Sequence, residues 1–558
     1  MQKLQIFVVR SNDEFRLGLC RNPLHLVNIW RGDLEDIIIL STPLPSTEAY
    51  LELTVWKRRF LGRFSKCWWH YLRFKQTHTL PARSSNVITK DDLTPILSNI
   101  ETLLSGRLLC EQRLFSTLRQ EGYWPSDVSR ALDWGNFSEK IIQLPGFKEE
   151  AWGQIVCNRC NSTNVTKRPC LTCGKSDCLY CKDCSTMGKN RGCSVLLAVD
   201  KDDDFDLSAN AKLELTYELT AAQQNASDKL LDSWSNGIKQ TLIWAACGAG
   251  KTEVTFSLIQ KVLNEGKQVL FAIPRQAIVR EMAQRLEKAF PETAVAVHYG
   301  GQPWFAHGNL VVATTHQVLH FRNRFHLAIL DEVDAFPYHG SEMLRFGLLR
   351  SLRPQGHLVE MTATPNFQNK FQHTITIPAR YHGYPLPEPR LIHYKLPLSS
   401  QLESQDLPSF VVEKLKQRGS WLVFVPTIAA CTVLRDCLSE VLAKPVGICH
   451  SQEPNRDQTI MALKTNKLDV VVTTSILERG VNFPGIEVMV LYADHPLFST
   501  SALVQIAGRV GRSAEFPVGR VFFIGNRVTA SMRGAQNLIK KLNNEAREQG
   551  LLPNEKST

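Results

Sequence analysis

Long apolar runs are missing from this chain of 558 residues. With no stretch of about 18 consecutive apolar residues, hydropathy offers no bilayer-spanning helix. The opening MQKLQIFVVRSNDEF also lacks the apolar run that a signal peptide needs. The expectation is a protein made and kept in the cytoplasm, still free to dock on a membrane protein. A large excess of one charge is missing too. The 65 Lys and Arg exceed the 54 Asp and Glu by 11, which favours polyanionic partners without specifying a fold. A hydrophobic content of 43% beside 21% charged residues excludes global disorder. The length exceeds what one core can organise and predicts roughly three or four domains.

Cysteine is unevenly spread rather than scarce. Of fifteen, eight crowd between Cys157 and Cys193, as Cys157-x2-Cys160, Cys170-x2-Cys173, Cys178-x2-Cys181, Cys184 and Cys193. In a reducing compartment such density means metal more readily than disulfides. The first two knuckles are predicted to close tetrahedrally on one Zn2+. The other four either form a second site, paired sequentially or cross-braced, or are buried thiols. An all-thiolate shell leaves no open position, so such zinc is structural. The segment is short and poor in apolar residues, and is expected to draw its stability from metal.

Residues 1–50 read as short strands and turns. Residues 51–75 interleave seven basic residues (Lys57, Arg58, Arg59, Arg63, Lys66, Arg73, Lys75) with seven aromatics and one acid, Glu52. That pattern suits single-stranded nucleic acid or an anionic surface; it equally suits elements that pack their aromatics and solvate their charges. Residues 91–135 read as helical, and Pro145-Gly146 marks a turn before the cysteines.

The stretch from Thr241 to Glu253, TLIWAACGAGKTE, carries the clearest chemistry. A buried strand leads through Gly248 and Gly250 to Lys251 and Thr252. That arrangement aims backbone N–H groups at phosphate, with Lys251 on the β/γ phosphates and Thr252 on Mg2+. Further apolar strands end in polar residues: Val269–Ile273, Leu310–Ala313, Leu327–Leu330 before Asp331-Glu332-Val333-Asp334, and Leu358–Met361 before Thr362-Ala363-Thr364. Strands alternating with helices define an α/β arrangement with ligands along one edge. Asp331 is expected to hold the magnesium and Glu332 to orient or deprotonate the attacking water. Gln223 is expected to read an adenine edge. After the proline-rich 385–389, a second α/β unit begins at Trp421–Val425. There Arg509 and Arg512, three apart in Gln505–Arg512, are expected on one helical face, reaching a γ-phosphate across the cleft.

Gln223, Ala245–Thr252, Pro274-Arg275, Thr314–Gln317, Asp331–Asp334, Thr362–Thr364, Phe424–Thr427, Thr473–Gly480 and Gln505–Arg512 together resemble a superfamily 2 helicase-type motor of the DEAD/DEAH-like class, over 215–515. The resemblance implies two tandem RecA-like P-loop NTPase domains, with ATP in the cleft contacting Gly480 as well as the residues above. It also implies single-stranded nucleic acid across both domains, touched by Arg275, Thr315 and Thr474. The expected order is an N-terminal domain (1–145), a zinc module (150–195), RecA-like domain 1 (205–380) and RecA-like domain 2 (390–550).

More narrowly, the chain is similar to the late-competence DNA-uptake ATPase family ComFA. The cysteines stand upstream of the motor, and the matching residues include Tyr180–Cys184 with Met187-Gly188, Asp331–Pro337 and Val481–Pro484. That resemblance implies ATP hydrolysis stimulated by single-stranded DNA at the inner face of the membrane. The motor would help draw transforming DNA through the channel ComEC, with ComFC and DprA as further partners; a homo-oligomer stays open. The alternatives are a primosomal replication-restart helicase, whose cysteines interrupt the second motor domain, and a nucleic-acid-binding protein using ATP only as a switch.

Overall fold

The computed structural model describes residues 3–11, 14–22, 36–60, 90–150, 153–200, 210–301, 308–365, 371–399, 401–417, 419–479, 481 and 483–552. The amino-terminal unit contains β1 (Gln5–Ser11), β2 (Glu14–Cys20), β3 (Asp36–Ile39), α1 (Ser46–Phe60), α2 (Lys90–Leu104), β4 (Leu109–Cys110), α3 (Glu111–Gln120), α4 (Pro125–Phe137) and β5 (Ile142–Pro145). Its antiparallel sheet runs β2-β1-β3. Most of the basic, aromatic stretch of 51–75 lies outside the described residues; of its basic side chains only exposed Lys57 is described.

Two hairpins then carry the cysteines: β6 (Phe147–Glu149) with β7 (Ile155–Cys157), and β8 (Val165–Arg168) with β9 (Cys178–Cys181). The next strand, β10 (Val195–Ala198), returns between β4 and β5. The cysteine segment is thus an insertion within the amino-terminal unit, whereas the sequence reading set it after that unit.

Domain 1 holds α5 (Ala221–Ser235), β11 (Gln240–Ala245), α6 (Phe256–Asn264), β12 (Val269–Ile273), α7 (Gln276–Ala289), β13 (Val295–His298), β14 (Leu310–Thr314), β15 (Phe325–Leu330), α8 (Glu342–Ser351), β16 (Leu352–Thr362) and β17 (His373–Ile377). The sheet is parallel, in the order β13-β14-β12-β15-β16-β11-β17. Domain 2 holds β18 (Arg390–His393), α9 (Ser409–Lys416), β19 (Ser420–Phe424), α10 (Ile428–Leu442), β20 (Gly447–Cys449), α11 (Arg456–Lys464), β21 (Val470–Thr473), β22 (Ile486–Leu491), α12 (Thr500–Ala507), β23 (Val521–Gly525) and α13 (Ala530–Glu548). Its parallel sheet runs β18-β23-β22-β19-β21-β20. Parallel strands covered on both faces must be apolar along their length, which is why β12, β14 and β23 are buried at every position. The polar motif residues follow at the carboxyl ends, where strand register gathers them at one edge.

A buried charge cluster fastens the amino-terminal unit. Arg21 pairs with Glu111 and, at 2.8 Å, with Asp133, all three side chains 7% exposed or less. Removing one partner leaves uncompensated charge in the interior, so Arg21→Ala should destabilise this unit by about 3–5 kcal/mol. Denaturant unfolding followed by a probe in residues 90–145 measures it; a change under about 1 kcal/mol, the scale of an exposed pair, would contradict it.

Candidate nucleotide site and cysteine clusters

The phosphate loop begins where β11 ends. Gly248 (φ +85°) and Gly250 (φ +73°) take left-handed backbone that side-chain-bearing residues rarely adopt. A Cβ on Gly250 would collide with the Gln223 amide nitrogen. That amide is already engaged: its oxygen accepts from Thr220 N–H at 2.9 Å and its NH2 donates to the Ala249 carbonyl at 2.9 Å. Gln223 therefore completes the capping box of α5 and braces the loop, a use the sequence reading did not anticipate. The loop opens on a cavity of about 650 Å3 between the domains.

Lys251 Nζ lies 2.7 Å from Asp331 Oδ1. Burial weighs against its charge, but Asp331 and Glu332 outweigh burial and raise its pKa. Glu332 sits at φ +57°, a sparsely populated conformation for a side-chain-bearing residue. Asp334 accepts from Thr362 Oγ1 and Thr364 Oγ1, each at 2.9 Å, and from Ser501 and Arg479 of domain 2. Against burial, Arg479 holds its carboxyl far below the usual carboxylate range. Arg479, missed as a site residue by the sequence reading, also places Nη1 3.4 Å from Glu332 Oε2 without a hydrogen bond.

The arginine pair departs from its expected placement. Helix α12 stops at Ala507, and Arg509 and Arg512 occupy the turn beyond it, where Gly511 adopts φ +69°. Arg512 lines the cavity. Arg509 is buried, with Nε donating to the Glu478 carbonyl at 2.9 Å and Nη1 to that of Val481; burial pushes its pKa well down. The two therefore do not share a helical face. Because Gly511 reverses the backbone, one points inward and the other lines the cavity.

Several buried polar atoms remain without hydrogen bonds: Arg479 Nε and Nη1, Arg509 Nη2 and Glu332 Oε2. Such atoms are costly unless a further group meets them. An anion with an attacking water fits this set. Lys251, Arg479 and Arg512, which line the cavity, would meet phosphate, and Thr252 with Asp331 offers the hard oxygens magnesium takes.

The expected nucleic-acid contacts are not equivalent. Arg275 forms a 3.1 Å ion pair with Glu478 across the domains. Thr474 is half-buried after β21, and Thr315 is buried, its hydroxyl turned inward without a partner. Thr315 thus departs from the expected surface contact, because its N–H follows the sheet to the Ile273 carbonyl. Gly480 lies outside the described residues.

The eight cysteines form two groups, Cys157, Cys160, Cys181, Cys184 and Cys170, Cys173, Cys178, Cys193, with sulfurs within 4.8 Å inside each. This corrects the expectation that Cys157, Cys160, Cys170 and Cys173 close on one ion. Cys178 and Cys181 begin and end strand β9, where an offset of three puts side chains on opposite faces. That knuckle cannot chelate one ion, and its halves serve different groups. Sulfur separations of 3.8 Å (Cys157–Cys184), 3.5 Å (Cys160–Cys181) and 3.8 Å (Cys170–Cys193) match the spacing of about 3.8 Å around tetrahedral zinc with 2.3 Å bonds. Arg159 and Asn190 also donate to Cys184 and Cys157 sulfur at 3.0 and 3.1 Å, which favours thiolate.

Two tandem RecA-like domains with a phosphate loop facing arginines across the cleft define a helicase-type ATPase. Residues 216–367 match the type III restriction enzyme res subunit family, and 404–514 the helicase conserved C-terminal domain. Residues 97–198 match the competence protein ComFA N-terminal domain. Competence protein ComFA of Bacillus subtilis is 34% identical over 397 residues, covering 69% of this chain and 85% of that protein. Its Streptococcus pneumoniae counterpart is 34% identical over 414 residues, covering 72% and 94%. The chain belongs to the ComFA family and is a competence-related helicase-like ATPase. Among solved structures, Saccharomyces cerevisiae Dbp5 bound to RNA and ADP BeF3 aligns with TM-score 0.43 and 17% identity, covering 60% of this chain and 93% of that one.

The observed grouping predicts metal stoichiometry. The parent should carry two zinc ions. Cys160→Ala and Cys181→Ala should each lose one, and the double variant no more than one, because both cysteines serve one ion. Metal analysis of purified protein checks this; loss of both ions from the double variant would restore sequential pairing.

Proposed function

We propose that this protein is an ATP-driven single-stranded DNA translocase that powers uptake of transforming DNA during competence. The observation that carries the reading is the ring of charge around one interdomain cavity, with Lys251, Asp331 and Glu332 on one side and Arg479 and Arg512 on the other. Hydrolysis that needs groups from both domains is sensitive to how the domains close, and a strand lying across both couples to that closure.

The residues divide the work. Lys251 would leave Asp331 to meet the β/γ phosphates, and Asp331 with Thr252 would hold Mg2+, which would supply charge neutralisation at the phosphates. Glu332 takes the proton of the attacking water. Arg512 and Arg479 offset the charge that develops on the transferred group. Family membership supports DNA as the polyanion and ATP as the nucleotide. No helix among the described residues is long and apolar enough to cross a membrane. Work at the inner membrane face is part of the same reading, and the family suggests ComEC, with ComFC and DprA, as partners there. Each cysteine group holds a structural zinc.

ATPase turnover with and without single-stranded DNA tests the reading. Turnover should rise with DNA, and DNA affinity should fall with salt by about 0.7 log units per log unit of salt for each phosphate contacted. Lys251→Ala and Glu332→Gln should each cut kcat by about 10²–10³-fold, while Glu332→Gln still binds ATP and DNA. Movement on single-stranded tracks completes the test. ATP binding without turnover would favour the switch; strand separation without DNA-uptake defects would favour the restart helicase.

A further inference from the structure

Arg380 stands three residues past β17, where the chain leaves domain 1, and is 3% exposed. Its four described acceptors are all carbonyls. Nε donates to Cys247 in the phosphate loop at 2.9 Å. Nη1 donates to Val510 at 2.8 Å and to Gly511, and Nη2 donates to Gly508 at 3.2 Å. Three of these acceptors lie in the turn that carries Arg509 and Arg512. A planar fork of fixed N–H directions holds such acceptors in one arrangement, which a lysine's single ammonium cannot reproduce.

The neighbouring residues grip the same turn. Tyr381 Oη donates to the Arg512 carbonyl at 3.4 Å, and the His382 ring contacts the Gly511 carbonyl at 3.0 Å. The turn lies hard against the phosphate loop. A Cβ on Gly508 would sit 2.5 Å from that of Cys247, and one on Gly511 would sit 2.8 Å from Arg380 Nη1. Burial lowers the Arg380 pKa to about 10, with Arg512 adding to the effect, so the group stays cationic at neutral pH beside a second cation.

We infer that Arg380 is a positioning residue for hydrolysis, bolting the arginine turn of domain 2 onto the phosphate loop so that Arg512 faces the reacting phosphate. The fork has one anchor on the loop and three on the turn, so its loss disturbs the register between them. The loop itself keeps its bonds from Ala246 N–H to Ile377 and from Gln223 to Ala249.

The test uses the full chain with Arg380→Lys and Arg380→Gln, read by DNA-stimulated ATPase, calorimetric ADP binding and thermal melting. Either variant should lower kcat by about tenfold or more, with ADP affinity within about threefold of the parent. Combined with Arg512→Ala, Arg380→Lys should add no further loss, since both remove the same contribution. A purely structural role would lower the melting temperature and leave kcat of the folded fraction unchanged. Unchanged kcat, ADP affinity falling in step with kcat, or losses that multiply in the double variant would overturn the inference, as would failure of both variants to fold. The inference rests on the ATPase reading. An inactive parent sinks both, whereas an active parent with unaffected variants sinks only this one.

Discussion

Asp334 is a buried carboxylate satisfied from both domains at once, and the geometry of the cleft follows from that. Thr362 and Thr364 hold it from domain 1, Ser501 and Arg479 from domain 2. A charge with little access to water has to keep these donors or meet a large desolvation cost. Moving the domains apart would strip two donors from Asp334 and leave the Arg479 guanidinium, 3% exposed, without its carboxylate. Arg479 also lies within ion-pair distance of Glu332. The group proposed to handle the water thus sits on the ion-pair network that joins the domains, which gives closure and chemistry a shared physical basis.

The cysteine segment belongs to the motor more closely than its sequence implies. Cys157, Cys160, Cys181 and Cys184 share a buried cluster with Phe147 and with Leu270, Val311, Leu319 and Leu344 of domain 1. Arg350 of helix α8 donates to the Arg159 carbonyl and to the Leu319 carbonyl in the turn after β14, tying a knuckle to domain 1. Leu108 N–H of the amino-terminal unit donates to the His320 carbonyl at 2.8 Å. This first tetrathiol cluster, stiffened by metal, would therefore hold one face of domain 1, and its loss would reach beyond the knuckles. The other group, Cys170, Cys173, Cys178 and Cys193, packs among the described residues against Tyr180 as its one partly buried hydrophobic neighbour, and depends on its ligands more completely.

The motor was legible in the amino-acid sequence because its information is local. An apolar run ending in a polar motif marks a buried parallel strand and its functional end together, so the phosphate loop, Asp331–Asp334 and the two α/β units could be read without contacts. The paired C-x2-C spacings likewise pointed to clustered cysteines. Long-range partners were not legible. Gln223 was read as a base-reading amide, but only the fold shows that its amide closes a helix cap against the phosphate loop. Arg479 lay within the recognised Thr473–Gly480 motif, but its partners Asp334 and Glu332 show only in the fold; Arg380 looks like an ordinary surface arginine until β17 delivers it into the cleft.

By itself, then, the order of residues determined the fold class, the nucleotide chemistry and the crowding of cysteines into paired knuckles, since each depends on neighbours within a few positions along the chain. Tertiary structure alone decided which cysteines come together, because alternation along β9 separates Cys178 from Cys181. It alone decided where the arginine pair lies, because α12 ends at Ala507 and Gly511 turns the backbone. It also decided that Asp334 draws its donors from both domains. Strand pleat, helix termination and burial set the direction of each side chain, and those directions exist only once distant segments pack.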